Sequence, residues 1–316
     1  MEFHSQFALE TKALARSFQG TPAVSQLDLQ VRQGEMFGLV GPDGAGKSTS
    51  IRMLCGILRP TSGHGSVLGH DLFTQSSQIK AHIGYLSQNF TLYGDLSVDE
   101  NIEFFAELHE VSHFDKKRQE LLEFTRLTPF RKRLAHALSG GMKKKLALAC
   151  TLVHTPKLIF LDEPSTGVDP VSRGEFWSIL SGILEQGVTI FMTTPYLDEA
   201  ERCHRISLMH QGKIIMTGTP DDIKSHLPGK MYNILCPDPS RAYRTLRKQW
   251  ASIHLQLLGD RIRFWSADGD TSLISAMEFL KKDGFEAVQY HDDPPVLEDV
   301  FVALLGRDQM RHKEEQ

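Results

Sequence analysis

The stretch from Gly41 to Thr49 constrains this chain more than any other part of the sequence. It reads Gly-Pro-Asp-Gly-Ala-Gly-Lys-Ser-Thr, which matches the spacing Gly, four residues, Gly-Lys-Ser/Thr. An apolar run at Met36–Val40 precedes it, and Ser50–Leu58 has helical spacing. We therefore predict a buried strand, a loop and a helix, with loop N–H groups and the helix dipole gathered around an anion such as a nucleotide phosphate. A chance match in a glycine-rich turn would lack these flanking elements.

Every residue of this loop is a candidate for phosphate binding. Its three glycines let the backbone turn and approach a ligand without a Cβ in the way. The lysine would reach the β- and γ-phosphates as a catalytic residue, and the serine hydroxyl would ligate Mg²⁺. The candidate set is Gly41, Pro42, Asp43, Gly44, Ala45, Gly46, Lys47, Ser48 and Thr49.

Composition limits the class of protein. The 316 residues are enough for two domains, and 41% hydrophobic with 23% charged residues is ordinary for a soluble protein. A net charge of −4 gives no general attraction to nucleic acid or anionic lipid. No apolar run approaches the ~20 residues needed to cross a bilayer, so we expect a cytosolic chain unless a partner holds it at a membrane. The four scattered cysteines are interpreted as reduced packing residues.

Two adjacent acids follow a second apolar run. Leu158–Leu161 leads directly into Asp162 and Glu163. Ligands of an open parallel sheet bind at the carboxyl ends of its strands, so these carboxylates are expected beside the phosphate loop. Asp162 suits the Mg²⁺ shell, usually through water, and Glu163 suits polarising an attacking water. A helix cap after a core strand would explain one acid but not both.

Three further features are ambiguous on their own. Gln88 ends a strand-like run and would lie either near a metal and its water or in a solvated loop. Ser139, Gly140 and Gly141 precede a helical pattern, so their backbone donors form a second candidate anion site. Phe18, ahead of the phosphate loop, either stacks on a base or belongs to the core or a sheet edge.

The helical patterns that follow Gln88 suggest an insertion between the phosphate-binding elements. A capping box at Ser97–Glu100 predicts the start of one helix. The run Lys143-Lys-Lys145 lies in another predicted helix, where successive residues point in different directions. We interpret these lysines as a solvated face rather than a nucleic-acid patch.

The pattern changes after Leu227-Pro-Gly229. The order strand, helix, strand, strand, helix, strand follows, which predicts a small ferredoxin-like α+β domain at residues 230–306. An apolar stripe near its end would either dock a partner or, as we favour, pack back onto this chain; its residues are Leu297, Val300, Phe301, Leu304 and Leu305. Residues 307–316 are expected to be a polar, frayed tail.

Together and in this order, these motifs resemble the ATP-binding subunit of ABC transporters over about Phe7 to Leu227. The matching motifs are Walker A at Gly41–Thr49, the Q-loop residue Gln88, the signature Leu138–Met142, Walker B at Leu158–Asp162 followed by Glu163, and the D-loop Ser165–Asp169. The segment Pro295–Val302 and the run Asp198–Glu201 resemble the drug-exporter subgroup of the daunorubicin-resistance type.

The resemblance implies a fold and a mode of action. The fold is an α/β P-loop NTPase of the ABC type at 7–227, with a helical subdomain at about 91–155 and an accessory or regulatory domain at 230–306. The chain would be an ATPase with ATP and Mg²⁺ as cofactors. In this family Phe18 is the adenine-stacking aromatic, Glu163, Lys47 and Gln88 are catalytic, and Ser48, Gln88 and Asp162 hold the metal.

The resemblance also implies partners. Two copies would close around ATP, the signature of one facing Walker A of the other, although the sequence leaves homodimer and heterodimer open. Closure would drive export through separate membrane permeases from the cytoplasmic face, with Phe90 and Tyr93 as either contact or core residues. No nucleic-acid partner is expected. A soluble ABC protein acting on nucleic acid and a poorly hydrolysing regulatory cassette are the competing functions.

Two residues depart from the family pattern. Met142 stands where many relatives have glutamine, a change that the exporter subgroup tolerates. Pro195 stands where the family's switch histidine contacts the γ-phosphate, and proline has neither a side-chain donor nor an N–H. We therefore expect normal MgATP binding with slower hydrolysis, partly compensated by Thr194 or water. The alternative is a different arrangement with full activity.

Overall fold

The computed structural model describes residues 6–89, 92–112, 114–250, 255–266, 268–285 and 287–304. It divides into two compact units, Met1–Thr217 and Gly218–Gln316. Among the described residues, no helix combines the length and the apolar character needed to cross a bilayer. Phe90, Leu305 and the tail at 307–316 lie outside the described residues, so the expectations for them stay predictions.

The first unit contains two sheets and seven helices among its described residues. Its strands are β1 Phe7–Phe18, β2 Thr21–Arg32, β3 Met36–Val40, β4 Ser62–Val67, β5 His70–Asp71, β6 Ile83–Leu86, β7 Leu158–Asp162, β8 Thr189–Thr194, β9 Arg205–His210 and β10 Lys213–Gly218. Its helices are α1 Lys47–Leu54, α2 Ser76–His82, α3 Val98–Leu108, α4 Phe114–Phe124, α5 Gly140–Leu152, α6 Pro170–Glu185 and α7 Leu197–Ala200.

The central sheet has the strand order β10-β9-β3-β8-β7-β6. Strand β3 pairs in parallel with β8 and β9, and β7 pairs in parallel with β6 and β8. Every residue of β3, β7 and β8 is buried, as expected where both faces of a parallel sheet are covered. Phe37 and Phe191 stack with ring centroids 5.8 Å apart inside this core. The parallel direction brings the loops after β3, β6, β7 and β8 to one edge of the sheet, where the site lies.

A second, antiparallel sheet has the order β2-β1-β4-β5. Its long strands β1 and β2 form a hairpin whose turn lies between Phe18 and Thr21. Leu9, Leu14 and Leu27 of this hairpin are buried in the same core cluster as Phe37 and the α1 residue Ile51. The hairpin is therefore packed against the phosphate-loop side of the central sheet.

The helix after the phosphate loop differs from its predicted bounds. It covers Lys47–Leu54, whereas the apolar spacing predicted Ser50–Leu58. Gly46 is its N-cap with a left-handed φ of 104°, so the helix begins inside the glycine motif itself. Gly56, with φ 66°, follows the C-cap and ends the helix early.

Three helices between the Q-loop and Walker B pack on one another, since α3 and α4 both contact α5. The predicted capping box is confirmed: the Ser97 hydroxyl accepts from Glu100 N, and the Glu100 carboxylate accepts from Ser97 N. Asn101 is buried behind it and holds the loop before α3 by donating to the carbonyls of Tyr93 and Leu96.

The second unit is a helix-covered antiparallel sheet. Its elements are α8 Pro220–Ser225, β11 Lys230–Leu235, α9 Pro239–Leu246, β12 Leu255–Leu258, β13 Arg261–Ser266, α10 Asp270–Lys282 and β14 Gln289–Asp293. The sheet order is β12-β13-β11-β14. Alternate residues of β11 and β13, such as Tyr232, Ile262 and Phe264, pack with Leu273 and Leu280 of α10. The last strand begins three residues later than the sequence pattern predicts, which is a strand at Glu286–Tyr290.

The division between the units falls before α8, ten residues ahead of the boundary expected at Leu227. The Pro228-Gly229 turn is held inside the second unit, because Trp265 Nε1 donates to the Pro228 carbonyl at 2.7 Å. It is a tight connection into β11 rather than a linker.

The apolar stripe near the C-terminus packs back onto the chain, as we favoured. Leu297 and Val300 are buried. Between them Asp299 accepts from the buried Arg263 of β13 at 2.9 Å, and Arg263 also donates to Asp293 at 2.6 Å. Burial raises the pKa of the Asp299 carboxyl, and the Val296 N–H and the Arg263 charge oppose that rise.

Candidate nucleotide site

The phosphate loop lies between β3 and α1, and two of its glycines are sterically required. A Cβ on Gly41 would lie 2.1 Å from the carbonyl oxygen of Met209. At Gly46 it would lie 2.6 Å from the carbonyl oxygen of Ala23, and φ there is 104°. No side chain fits either position, so the loop sequence is fixed by its own packing as well as by a ligand.

Lys47 is buried at the first turn of α1 and points back into the loop. Its Nζ donates to the carbonyl oxygens of Gly41 at 2.8 Å and Pro42 at 3.0 Å. The same nitrogen lies 3.1 Å from Glu163 Oε1, and both side chains are almost fully buried. A buried ammonium held among oxygens in this way is poised to exchange a carboxylate for a phosphate oxygen.

Asp162 and Ser48 are joined by a hydrogen bond beside the phosphate loop. Ser48 Oγ donates to Asp162 Oδ1 at 3.1 Å, and Thr193 Oγ1 donates to the same oxygen at 2.7 Å. Asp162 is fully buried, and within the described part of the chain its Oδ2 has no hydrogen-bond partner. A buried orphan carboxylate oxygen beside a serine hydroxyl fits a hard cation with oxygen ligands, such as Mg²⁺.

Glu163 is the most constrained side chain of the site. Its φ is 48°, in the left-handed region that a non-glycine residue seldom adopts. The strand end is fixed because Glu163 N donates to Thr193 Oγ1 at 3.0 Å. Gln88 Nε2 donates to Glu163 Oε2 at 2.9 Å, while Lys47 holds the other oxygen. The structure therefore brings together the three predicted catalytic residues, Glu163, Lys47 and Gln88.

These side chains face a cavity of about 570 Å³. This size lies within the usual range for a small-molecule site. The cavity is lined by Pro22, Ala23, Asp43, Gly44, Gly46, Lys47, Ser48, Thr49, Gln88, Glu163, Thr166, Pro195, Tyr196, Gln211 and Gly212. Pro195 thus faces the ligand space, at the position where the family's histidine was expected.

Phe18 lies at the tip of the β1–β2 hairpin. Its ring is exposed, and the Arg16 guanidinium sits 4.7 Å from the ring centroid. It is not among the described residues that line the cavity, whereas Pro22 and Ala23 of the following strand are. Its stacking role stays a prediction.

The signature residues do not join the cavity of their own chain. Ser139 is the N-cap of α5, and its hydroxyl accepts from Met142 N at 3.3 Å. Ser139 and Gly140 are exposed, and Gly141 packs on Ser172, where a Cβ would lie only 2.3 Å from the serine Cβ. None of the three is among the described lining residues. Ser139 and Gly140 thus place the N-terminus of α5 at the surface of the chain.

A buried network behind the cavity was not predicted from the sequence. Thr194 Oγ1 donates to Glu199 Oε2 at 2.7 Å and accepts from Tyr196 N at 3.0 Å. The D-loop Ser165 hydroxyl donates to the other oxygen of Glu199. Thr194 is fully buried and is not among the described residues that line the cavity, so its compensating role stays a prediction. Tyr196 is the side chain of this segment that lines the cavity beside Pro195.

This chain is similar to known proteins of one family. The ABC transporter family model matches residues 24–166. Over 250 residues the chain is 42% identical to the probable multidrug ABC transporter ATP-binding protein YbhF of Escherichia coli K12. The aligned region covers 78% of this chain but only 43% of YbhF. This chain thus spans less than half the length of YbhF.

A second relative aligns along nearly the whole chain. The daunorubicin/doxorubicin resistance ATP-binding protein DrrA of Streptomyces peucetius is 34% identical over 310 residues, with 95% of this chain and 92% of DrrA covered. Among solved structures, cbiO1 from Clostridium perfringens, part of the ABC transporter complex cbiONQ, superposes with a TM-score of 0.65 at 27% identity. That match covers 70% of this chain and 92% of cbiO1. The motifs, the cassette fold and these relatives confirm the resemblance, and this chain belongs to the ATP-binding proteins of ABC transporters.

Proposed function

We propose that two copies of this chain close around MgATP, hydrolyse it, and thereby power export through separate permease subunits at the cytoplasmic face of the membrane. The observation that carries the proposal is the convergence of Lys47, Gln88 and Glu163 on one cavity beside the orphan oxygen of Asp162. Members of this family are ATPases. The relatives YbhF and DrrA are named as a probable multidrug transporter protein and a drug-resistance protein, which supports export. We also propose an accessory role for the second unit.

The chemistry follows from the placement of each group. The loop N–H groups and Lys47 would hold the β- and γ-phosphates, and Ser48 and Asp162 would hold Mg²⁺. When bound, the ion neutralises charge that develops on the phosphate oxygens. Phosphate oxygens compete with Glu163 for Lys47, so nucleotide binding frees the Glu163 carboxylate to accept a proton from the attacking water.

The exposed signature supports a composite site. Ser139 and Gly140 lie at a helix N-terminus, where the first N–H groups have no partner within the helix and can bind anions, yet they are not among the described residues lining the cavity. A second copy with its signature over this cavity would supply the missing donors to the γ-phosphate. In a symmetric pair, the signature of each copy would lie over the cavity of the other copy.

The proposal predicts that ATP hydrolysis depends on protein concentration. The rate per chain of the purified protein should rise with concentration and reach a plateau once the dimer is saturated. The measurement is steady-state phosphate release with Mg²⁺ and saturating ATP over a wide range of protein concentration. A rate per chain that does not change with concentration, or no turnover at any concentration, would contradict the homodimeric ATPase.

Replacing Pro195 by histidine should raise turnover by about tenfold or more, because one hydrogen bond to a charged group contributes about 1.5–3 kcal/mol. Pro195 lines the cavity but has no donor, and Thr194 is committed to Glu199. The matched control is Pro195→Ala, which removes the ring without adding a donor and should give no such rise. An unchanged or lower rate in Pro195→His would mean that this site reaches its full rate by another arrangement.

A further inference from the structure

Lys144 makes a contact that the sequence did not suggest. It lies in the second turn of α5, and its Nζ donates to the backbone carbonyl of Gln88 at 3.0 Å. The side chain is half-buried, and its burial lowers the pKa of the ammonium, while the charges of Asp162 and Glu163 oppose that shift. A partly desolvated ammonium that donates to a neutral carbonyl lacks the full compensation that an ion pair provides.

The neighbouring lysines show that this contact is specific. Lys143 is exposed, and Lys145 is buried in an ion pair with Glu175 of α6. Lys145 thus anchors α5 to α6, while Lys144 reaches the Q-loop instead. The expectation of a solvated lysine face is therefore wrong for two of the three residues. Lys144 and Lys145 differ because the first faces the Q-loop and the second faces α6.

Gln88 relays this contact into the catalytic residues. Its carbonyl accepts from Lys144, and its side-chain amide donates to Glu163 Oε2 at 2.9 Å. Glu163 in turn lies 3.1 Å from Lys47 of the phosphate loop. A continuous chain of polar contacts therefore runs from the helix that begins at the signature to the lysine that would hold the phosphates.

We propose that Lys144 is a positioning residue that couples the placement of the signature helix α5 to Gln88 and, through Gln88, to the catalytic carboxylate of Glu163. When a nucleotide and a second copy engage the N-terminus of α5, the movement of the helix reaches Gln88 through this bond. Gln88 then orients the Glu163 carboxylate toward the attacking water. This inference rests on the proposed ATPase function, because the rate is what the coupling changes.

The kinetic test removes the bond while keeping the length of the side chain. Lys144→Met should lower kcat about tenfold, with the KM for ATP changed by less than about twofold, because the phosphate-binding residues are untouched. Lys144→Arg keeps a donor and should restore most of the rate. Lys143→Met, on the adjacent exposed lysine, is the matched control and should behave like the wild type.

A double-mutant cycle tests the route through Gln88. Gln88→Ala keeps the carbonyl that Lys144 binds but removes the amide that reaches Glu163. In that background Lys144→Met should change kcat by less than about twofold. Additive losses would overturn the proposal, as would an equal loss in Lys143→Met or a loss that Lys144→Arg does not rescue.

A second readout does not depend on turnover. In the nucleotide-free protein, amide hydrogen exchange of the peptide 83–89 should accelerate in Lys144→Met and stay unchanged in Lys143→Met, since the Lys144 bond fixes that backbone. Unchanged exchange in Lys144→Met would overturn the positioning role. A wild-type chain without ATP turnover would instead refute the proposed function. The exchange result would still show whether the bond from Lys144 to the Gln88 carbonyl fixes that backbone.

Discussion

Glu163→Gln should lower ATP turnover by about 10²- to 10⁴-fold, the range of a lost general base. Glutamine has nearly the same shape, so the left-handed backbone at this position and the packing against Gln88 are kept. It cannot accept the proton of the attacking water at neutral pH. It also removes the negative charge beside Lys47, so ATP binding should be as tight as in the wild type or tighter.

Turnover, ATP affinity and the ATP-dependent dimer should be measured on the same preparation. The variant should bind ATP and stay dimeric with ATP, since the bound nucleotide is not consumed. Glu185→Gln makes the same charge change at an exposed position near the end of α6 and serves as the matched control. Turnover in Glu163→Gln within a few-fold of the wild type would mean that another group, or the substrate itself, takes the proton.

Gly140→Asp should also lower turnover, by about 100-fold or more, without unfolding the chain. Gly140 is the first residue of α5, and a Cβ there would meet its nearest neighbour, the Gly167 carbonyl oxygen, at 3.8 Å. An acidic residue in the first turn stabilises a helix through its dipole. The fold therefore tolerates the change, but the new carboxylate repels a phosphate brought to this surface.

The control for this variant is Gly174→Asp on α6, where no described heavy atom lies within 4 Å of the added Cβ. Both variants gain one negative charge on an exposed helical glycine, so an unspecific charge effect would lower both rates. Thermal unfolding and ATP affinity of the isolated chain should match the wild type in each, because Gly140 is not among the described residues lining the cavity. A normal rate of ATP hydrolysis in Gly140→Asp would show that the signature surface takes no part in the reaction.

The sequence predicted those parts of the fold in which local pattern and tertiary environment coincide. The buried strands β3 and β7 appear in the sequence as short apolar runs because both of their faces are covered. The capping box at Ser97 was equally local, since both partners lie within one helical turn. The edge where the phosphate loop and the two acids meet followed from the parallel direction of the strands.

Features that depend on side-chain partners or caps outside the apolar pattern were missed. Lys144 and Lys145 look alike in the sequence, yet one reaches Gln88 and the other Glu175. Thr194 appeared free to contact a ligand because its partner Glu199 lies on the following helix. The start of α1 was misplaced because apolar spacing does not register a helix that begins on the Gly46 cap. The two lysine contacts are tertiary, and residue spacing carries no record of them.

The most direct test of the account is to mix two inactive variants, Lys47→Met and Gly140→Asp. The first lacks the phosphate lysine, and the second lacks a usable signature. A mixed dimer would pair the intact Walker A loop of one copy with the intact signature of the other. Random pairing and independent sites then predict about a quarter of the wild-type ATP hydrolysis rate per chain. A mixture as inactive as its components at every ratio and concentration would contradict a site built by two copies.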